Sequence, residues 1–233
     1  MGRVSIVDYA NRQAREAKLA RAIARMTAGQ RRKLFSIMGN PPKLENVTAE
    51  YWNGHYTAWQ GVLTPELEDI FVDSAKLMLD DNPAIGVDWD LVNEDATSWV
   101  RTYSEKLIVG IDDKTQRGVN EAVASFYEDG LNLGQLRTKL DRWYGPMRAE
   151  MIATTETTRA SVEGERAVVA EAAKLGFEMV EIWQTNNDEM VCNICGPRHG
   201  MQVGTNWTKD DGPPAHPRCR CWTTHELVQP EPL

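Results

Sequence analysis

Apolar positions through most of this chain recur every three or four residues, which is the period of a helix with one buried face. Near the N-terminus, Leu19, Ile23 and Met26 form one such stripe. Thr27 and Gln30 follow with the spacing of a capping box, in which two side chains cap the first backbone N–H groups of a helix. The pattern therefore predicts two helices in the first 40 residues, with a break near Thr27.

Caps and helix breakers mark the other helix ends in this region. Ser5 and Asp8 have the spacing of a weak capping box before the first helix. Gly39 and Pro41-Pro42 predict the end of the second helix, because glycine favours a left-handed cap and proline cannot continue a helix.

Further helices are predicted between residues 48 and 110. One runs from Thr48 to Gly61. Thr64 followed by Pro65 predicts the start of the next, because proline is favoured at the first helical position. Asn82-Pro83 ends that helix, and one more helix follows it.

The pattern changes towards the C-terminus. Asp112-Asp113 predicts the start of a second domain, whose last long helix runs from about Met147 to Leu175. After that helix, residues 177–184 and 220–228 are short, rich in β-forming residues and bounded by turn signals, so they predict two strands. The sequence therefore predicts a mainly α protein with a small C-terminal β-sheet, an α+β fold.

Charge separates the first 40 residues from the rest. The chain carries 26 Lys and Arg against 34 Asp and Glu, for a net charge of −8 at pH 7. Residues 1–40 nevertheless hold nine basic and only two acidic side chains. A basic segment on an acidic body is typical of docking on an acidic protein or on nucleic acid. We divide the chain into a basic N-terminal helical arm at 1–43, a helical region at 44–110 and a domain at 111–233.

Composition excludes several protein classes. Hydrophobic residues make up 42% of the chain and charged residues 26%, which is typical of a globular protein rather than a disordered one. No apolar run approaches the ~18 residues of a membrane helix, so no membrane partner is expected.

The four cysteines form two tight clusters near the C-terminus. Cys192 and Cys195 are spaced as C-x2-C, and Cys219 and Cys221 as C-x-C shortly after His216. Thiolate and imidazole at such spacings are typical of a tetrahedral Zn²⁺ site. We favour Cys192, Cys195, His216 and Cys219 as ligands, with Cys221 in place of His216 as the alternative. The zinc site would organise the small C-terminal sheet.

Other interpretations of these residues stay open. Cys192 and Cys195 also have the spacing of a redox pair, although no thioredoxin-like βαβ pattern surrounds them, and four plain thiols are a third interpretation. A catalytic zinc would need an open coordination position and an acid or base nearby. Glu156, Asp188 and Glu189 are available carboxylates, but none stands in an H-E-x-x-H arrangement.

Several motifs in order along residues 111–229 resemble a known family. They are the segment ATTETTRA at residues 153–160, Trp183, Asp188 leading into C-x2-C, and PPAHPRCRC at residues 213–221. Together they are similar to the phage head morphogenesis domain, the Mu F-like minor head proteins of tailed phages. The family often has Arg before the T-E pair, where Thr154 stands here.

The resemblance implies a function that composition cannot show. It implies a minor head protein that associates with the portal vertex and other head proteins and assists head assembly, DNA packaging or genome delivery. Such a protein is found inside the virion head near the portal, and in the host cytoplasm during assembly, and is not an enzyme. A zinc-dependent nuclease or hydrolase is the alternative, and a DNA-binding adaptor that contacts packaged double-stranded DNA is a third hypothesis.

Two expectations about particular residues follow. Glu156 is expected to be buried under the zinc loop, where it would bond backbone amides. Leu34, Phe35, Ile37 and Met38 of the arm have nothing to bury on a phosphate backbone, so the arm is expected to dock on the portal protein. Deleting residues 1–40 should then leave a folded, zinc-loaded protein.

Overall fold

A computed structural model describes residues 6–228, with side chains described from residue 11 onward. The described residues form five α-helices and two β-strands. These are α1 (Ile6–Met38), α2 (Ala49–Asp81), α3 (Trp89–Glu128), α4 (Leu133–Tyr144), α5 (Pro146–Lys174), β1 (Met179–Gln184) and β2 (Trp222–Leu227). Ser5 of the first capping box lies outside the described residues.

The predicted fold class is confirmed as mainly helical with a small sheet. The two strands pair antiparallel, with Met179 opposite Leu227 at one end and Gln184 opposite Trp222 at the other. The predicted helix at about Met147 to Leu175 is confirmed by α5. The end of α1 before Gly39 is confirmed as well, and Gly39 has the left-handed φ of 78° that a glycine cap allows.

Three predicted helix boundaries are wrong, because helices continue through them. α1 passes through Thr27, whose hydroxyl donates hydrogen bonds to the carbonyls of Ala24 and Tyr144 instead of capping a new helix. α2 passes through Gly61 and Pro65 without a break.

The third wrong boundary is the predicted break between helices at Asp112-Asp113, which lies inside α3, whereas the domain start drawn there stays a prediction. The Asp112 carboxylate accepts a hydrogen bond from Nδ1 of His55 on α2. A polar side chain that has a tertiary partner gives the same sequence signal as a cap, although it ends no helix.

The chain forms two compact units. Unit 1 contains residues 1–16, 67–100 and 154–233, and unit 2 contains residues 17–66 and 101–153. Each unit joins segments that are distant in sequence. The domains at 1–43, 44–110 and 111–233 were drawn from charge and family resemblance, so as sequence units they stay a prediction.

Unit 2 has an apolar core to which four helices contribute. Its cluster of buried residues consists of Leu34, Met38, Tyr51, Val119, Ala122, Val123, Leu136, Leu140 and Tyr144. Two buried polar contacts lie next to it: the hydroxyls of Tyr51 and Tyr144 lie 3.1 Å apart, and the Gln30 side-chain amide N–H donates to the carbonyl of His55 at 3.2 Å.

This core corrects the expectation for the arm. Leu34 and Met38 are fully buried in unit 2, and Phe35 and Ile37 pack against the same cluster. Two of these side chains are therefore already buried within the chain and the other two are partly buried, so they do not form the free apolar stripe on which the expectation rested. Deleting residues 1–40 would also remove part of this core.

In unit 1, α5 lies close to the α2 backbone. A Cβ atom at Gly164 would lie 2.3 Å from the carbonyl oxygen of Phe71, so only glycine fits there without a shift of backbone. The hydroxyls of Ser74 and Ser161 are 2.6 Å apart at the same pair of helices. Close packing, rather than a bend in the helix, thus accounts for Gly164.

Within the described part of the chain, no helix is both long and apolar enough to span a membrane.

Candidate metal centre

The C-x2-C half of the centre is a tight turn that follows β1. The backbone N–H groups of Cys195 and Gly196 both donate to the carbonyl of Cys192, at 3.1 and 2.9 Å. Asp188 stabilises the chain just before this turn, because its carboxylate accepts a hydrogen bond from the backbone N–H of Met190 at 3.0 Å. The turn brings two sulfurs to the same side of a short loop.

The second half precedes β2 and is also closed by a backbone bond, from Cys219 N–H to the carbonyl of His216 at 3.1 Å. The Nδ1 of His216 lies 2.9 Å from the Pro217 carbonyl, which fixes the proton on Nδ1. In the neutral imidazole Nε2 then keeps the lone pair, and it lies 3.1 Å from the Cys192 sulfur and 3.3 Å from the Cys195 sulfur.

The predicted ligands form two overlapping groups. The ligand atoms of Cys192, Cys195 and His216 lie within 4.8 Å of one another, and so do those of Cys195, Cys219 and Cys221. Cys195 is common to both groups. Each of the two groups could hold a metal ion, and the choice of four ligands among the five candidates stays a prediction.

The sulfur spacing fits a tetrahedral ion. Two thiolates that bind Zn²⁺ at about 2.3 Å with tetrahedral angles are about 3.8 Å apart. The sulfurs of Cys195 and Cys219 are 3.8 Å apart. A donor set of thiolates with one imidazole is the kind that soft or borderline metal ions prefer over Mg²⁺ or Ca²⁺.

The thiols also share protons that a metal would displace. The pKa of Cys219 is lowered because the Cys195 and Cys221 thiols donate hydrogen bonds to its sulfur. The pKa of Cys195 is raised because it is the donor to Cys219 and interacts with Cys221. One buried thiolate held by neighbouring S–H groups is the arrangement in which a cation replaces protons.

Aromatic side chains enclose the buried side of the centre. Trp183 of β1 and Trp207 pack edge to face with ring centroids 5.1 Å apart, in one cluster with the buried cysteines. Arg220 donates to both carboxylate oxygens of Asp188, at 2.9 and 2.8 Å, and so links the two halves of the centre.

The loop of the second half rests on α5 through two threonines. The Thr155 hydroxyl accepts the N–H of Arg218 at 2.9 Å, and the Thr158 hydroxyl donates to the carbonyl of Cys219 at 2.7 Å. Arg12 of α1 donates to the Thr158 hydroxyl and, at 3.1 Å, to the carbonyl of Cys221. Sequence analysis missed Arg12, which is far from the motif in sequence.

Glu156 is buried, as expected. The bond between Glu156 and loop amides stays a prediction, and its neighbours Thr155 and Thr158 make the contacts described above. Sequence analysis missed this role of Thr155 and Thr158, although their spacing of three residues places them on one helix face.

The two remaining histidines of this region belong to neither metal group. His199 accepts the backbone N–H of Thr185 at 3.1 Å through Nδ1. Burial lowers the pKa of His225 to about 3, although the Glu165 carboxylate lies 3.6 Å away, so His225 is a neutral buried side chain.

A family described as Phage Mu protein F like protein has a model that matches residues 117–224. We call residues 117–224, which this family model matches, the Mu F like domain. The resemblance seen in the motifs is therefore confirmed. No curated protein and no solved structure matches this chain.

The Mu F like domain includes the whole metal centre and covers just under half of the chain. It contains the four cysteines, His216 and all of α4 and α5. It does not contain α1 or α2, so the basic segment of α1 lies outside the domain. The family points to a phage head-morphogenesis protein, and hence to other head components as partners and to the virion as its location.

Proposed function

We propose that this chain is a minor head protein of a tailed bacteriophage that sits at the portal vertex. There it assists head assembly, DNA packaging or genome delivery, as a structural component rather than an enzyme. The observation that carries the proposal is the Mu F like match over residues 117–224. That match coincides with the best-defined chemical feature of the fold, the cysteine and histidine cluster.

The location is tested by a reconstruction of whole phage heads without imposed icosahedral symmetry. We expect density for this chain in contact with the portal ring, inside the head. Density spread over the capsid lattice would contradict the portal role, and so would phage that lack the protein but still assemble heads, package DNA and deliver it normally.

Within this function we propose that Zn²⁺ occupies the metal centre and holds the loops on the sheet. The sulfur spacing of 3.8 Å and the free lone pair of His216 support zinc. Metal analysis of protein purified without added metal should find about one equivalent of zinc per chain. A metal-free protein with a Cys192–Cys195 disulfide in fresh samples would contradict it.

The ligand set is tested by a pair of matched variants. With Cys192, Cys195, His216 and Cys219 as ligands, Cys221→Ser keeps its zinc equivalent, whereas His216→Asn loses or weakens it. If Cys221 replaces His216 as ligand, the two results are reversed. Cobalt substitution gives a second measurement, because thiolate-to-cobalt absorption reports the number of bound sulfurs.

The non-enzymatic role is supported by the positions of nearby acids. Asp188 is held by Arg220 at 2.8 Å, and the buried Glu156 has Arg159 at 3.9 Å. Purified protein is expected to leave plasmid DNA intact with and without added divalent metal. Metal-dependent cleavage that Glu156→Gln abolishes would favour a nuclease instead.

A further inference from the structure

One face of α1 carries exposed basic side chains. Lys18, Arg21, Arg25 and Arg32, here called the basic stripe, are all exposed to solvent. At 3.6 residues per turn they fall within an arc of about 60° on the helix. From Lys18 to Arg32 the stripe extends about 21 Å at the helical rise of about 1.5 Å per residue.

Most of this charge is not neutralised within the chain. Lys18 lies 2.7 Å from Glu66. In the described part of the chain, no carboxylate forms an ion pair with Arg21, Arg25 or Arg32. No acidic residue occurs anywhere between Glu16 and Glu45, so the sequence around the stripe carries no negative charge.

The apolar face of the same helix is already used. Leu19, Ile23, Leu34 and Met38 are fully buried, so α1 presents cations to solvent without an apolar anchor beside them. Protein interfaces take most of their affinity from buried aromatic and aliphatic anchors. Binding to a nucleic-acid backbone needs only cations, because release of condensed counterions supplies the affinity.

We propose that the basic stripe binds the phosphate backbone of double-stranded DNA without sequence preference. Three of its four cations are arginines, whose planar fork matches phosphate oxygens. The two compact units also differ in net charge, counted with the stripe in unit 2. Unit 2 has fifteen Lys and Arg against eleven Asp and Glu, a net charge of +4, whereas unit 1 has eleven against twenty-three, a net charge of −12.

The test measures binding of the full-length chain to a fluorescent ~20-base-pair duplex of random sequence over a range of salt. We expect log K to fall linearly with log of the salt concentration, with equal affinity for unrelated sequences. The triple variant Arg21→Gln, Arg25→Gln, Arg32→Gln should bind more weakly, and its salt slope should be smaller by about three.

A matched control removes the same charge elsewhere in unit 2. Lys106, Lys114 and Arg117 are exposed on α3, and their triple Gln variant should keep the salt slope of the wild type to within about one. Circular dichroism should show that both variants are folded, because all six side chains are exposed.

Three results would overturn the proposal. They are an absence of DNA binding by the wild type at ~50 mM salt, equal losses in the stripe and control variants, and a wild-type affinity that does not depend on salt. The proposal also fails if the stripe variant binds DNA as the wild type does but no longer pulls down an acidic head protein. In that case the stripe docks on protein. None of these outcomes depends on portal location, so the DNA proposal and the proposed function can fail separately.

Discussion

In unit 2, nine buried residues from four helices form one apolar cluster, whereas the metal centre of unit 1 has a cluster of five buried residues, three of them cysteines. The first cluster removes enough apolar surface from water to hold helices together. The second consists of two tryptophans and thiols beside a two-stranded sheet, too little for independent stability. Unit 2 is therefore stabilised by burial of apolar surface, whereas the metal centre of unit 1 needs cross-links, which a metal ion would supply.

The comparison extends to charge and to function. The basic unit 2 carries the basic stripe, and the acidic unit 1 carries the metal centre of the Mu F like domain. A change in one region should therefore leave the chemistry of the other intact. Each prediction below tests whether the two regions depend on different forces.

The largest effect is expected from loss of the metal centre. Cys195→Ser removes the thiol common to both ligand groups, so zinc should be lost whichever four residues bind it. Binding energies of structural zinc in small peptides are about 10–16 kcal/mol and count as folding energy, so the sheet should lose its order. Limited proteolysis should then cleave between β1 and β2 while α1 to α4 stay protected.

Treatment of the wild type with a strong chelator serves as the comparison for Cys195→Ser, because it removes metal without a substitution. Both should give the same proteolysis pattern and leave most of the helical circular dichroism. A uniform loss of helix on chelation would mean that unit 2 also depends on the metal, and the contrast between the regions would be wrong.

The next effect is expected in the apolar core of unit 2. Leu34→Ala removes a fully buried side chain and should lower the free energy of unfolding by about 2–5 kcal/mol. Zinc content should stay at the wild-type value. Ser36→Ala, an exposed change on the same helix, is the control and should alter the free energy by less than ~0.5 kcal/mol in denaturant titrations.

Sequence patterns predicted local features of this fold well. The end of α1 at Gly39, the length of α5 and the two strands follow from periodicity and from glycine and proline signals, which act within a few residues. The cysteine and histidine cluster was predictable for the same reason, because each half of it is a short turn.

Long-range partners could not be predicted. Thr27 and Asp112 look like the start of an element in sequence, but each bonds a residue on another helix, Tyr144 and His55 respectively. The burial of Leu34 depends on helices some 85 to 110 residues further along the chain, which no local pattern encodes. A basic helix with an apolar stripe therefore looked like a docking arm, although its stripe is core.

A smaller effect is expected at two glycines, one in each unit. Gly164→Ala would place Cβ 2.3 Å from the backbone oxygen of Phe71, whereas Gly118→Ala would clash with the half-buried ring of Trp143. The backbone of Phe71 cannot move without shifting its helix, whereas the side chain of Trp143 can change rotamer. We expect Gly164→Ala to cost about 1–3 kcal/mol and Gly118→Ala to cost less, measured by thermal unfolding. An equal cost would show that Trp143 is as fixed as a helix backbone.

An effect of similar size is expected at Arg12, which joins α1 to the backbone of the metal loop. Arg12→Gln loses donors to Thr158 and to the carbonyl of Cys221, and lost bonds to a charged donor cost about 1–3 kcal/mol. Arg15→Gln is the control, since Arg15 pairs with Asp73 at a half-exposed position where an ion pair is worth about 1 kcal/mol at most.

The decisive measurement is the rate at which zinc passes from each variant to a chromogenic chelator. Arg12→Gln should speed the transfer while Arg15→Gln leaves it unchanged, because only Arg12 contacts the loop. If both variants release zinc at the wild-type rate, the loop is held by its ligands and the α5 threonines alone, and α1 contributes nothing to the metal centre.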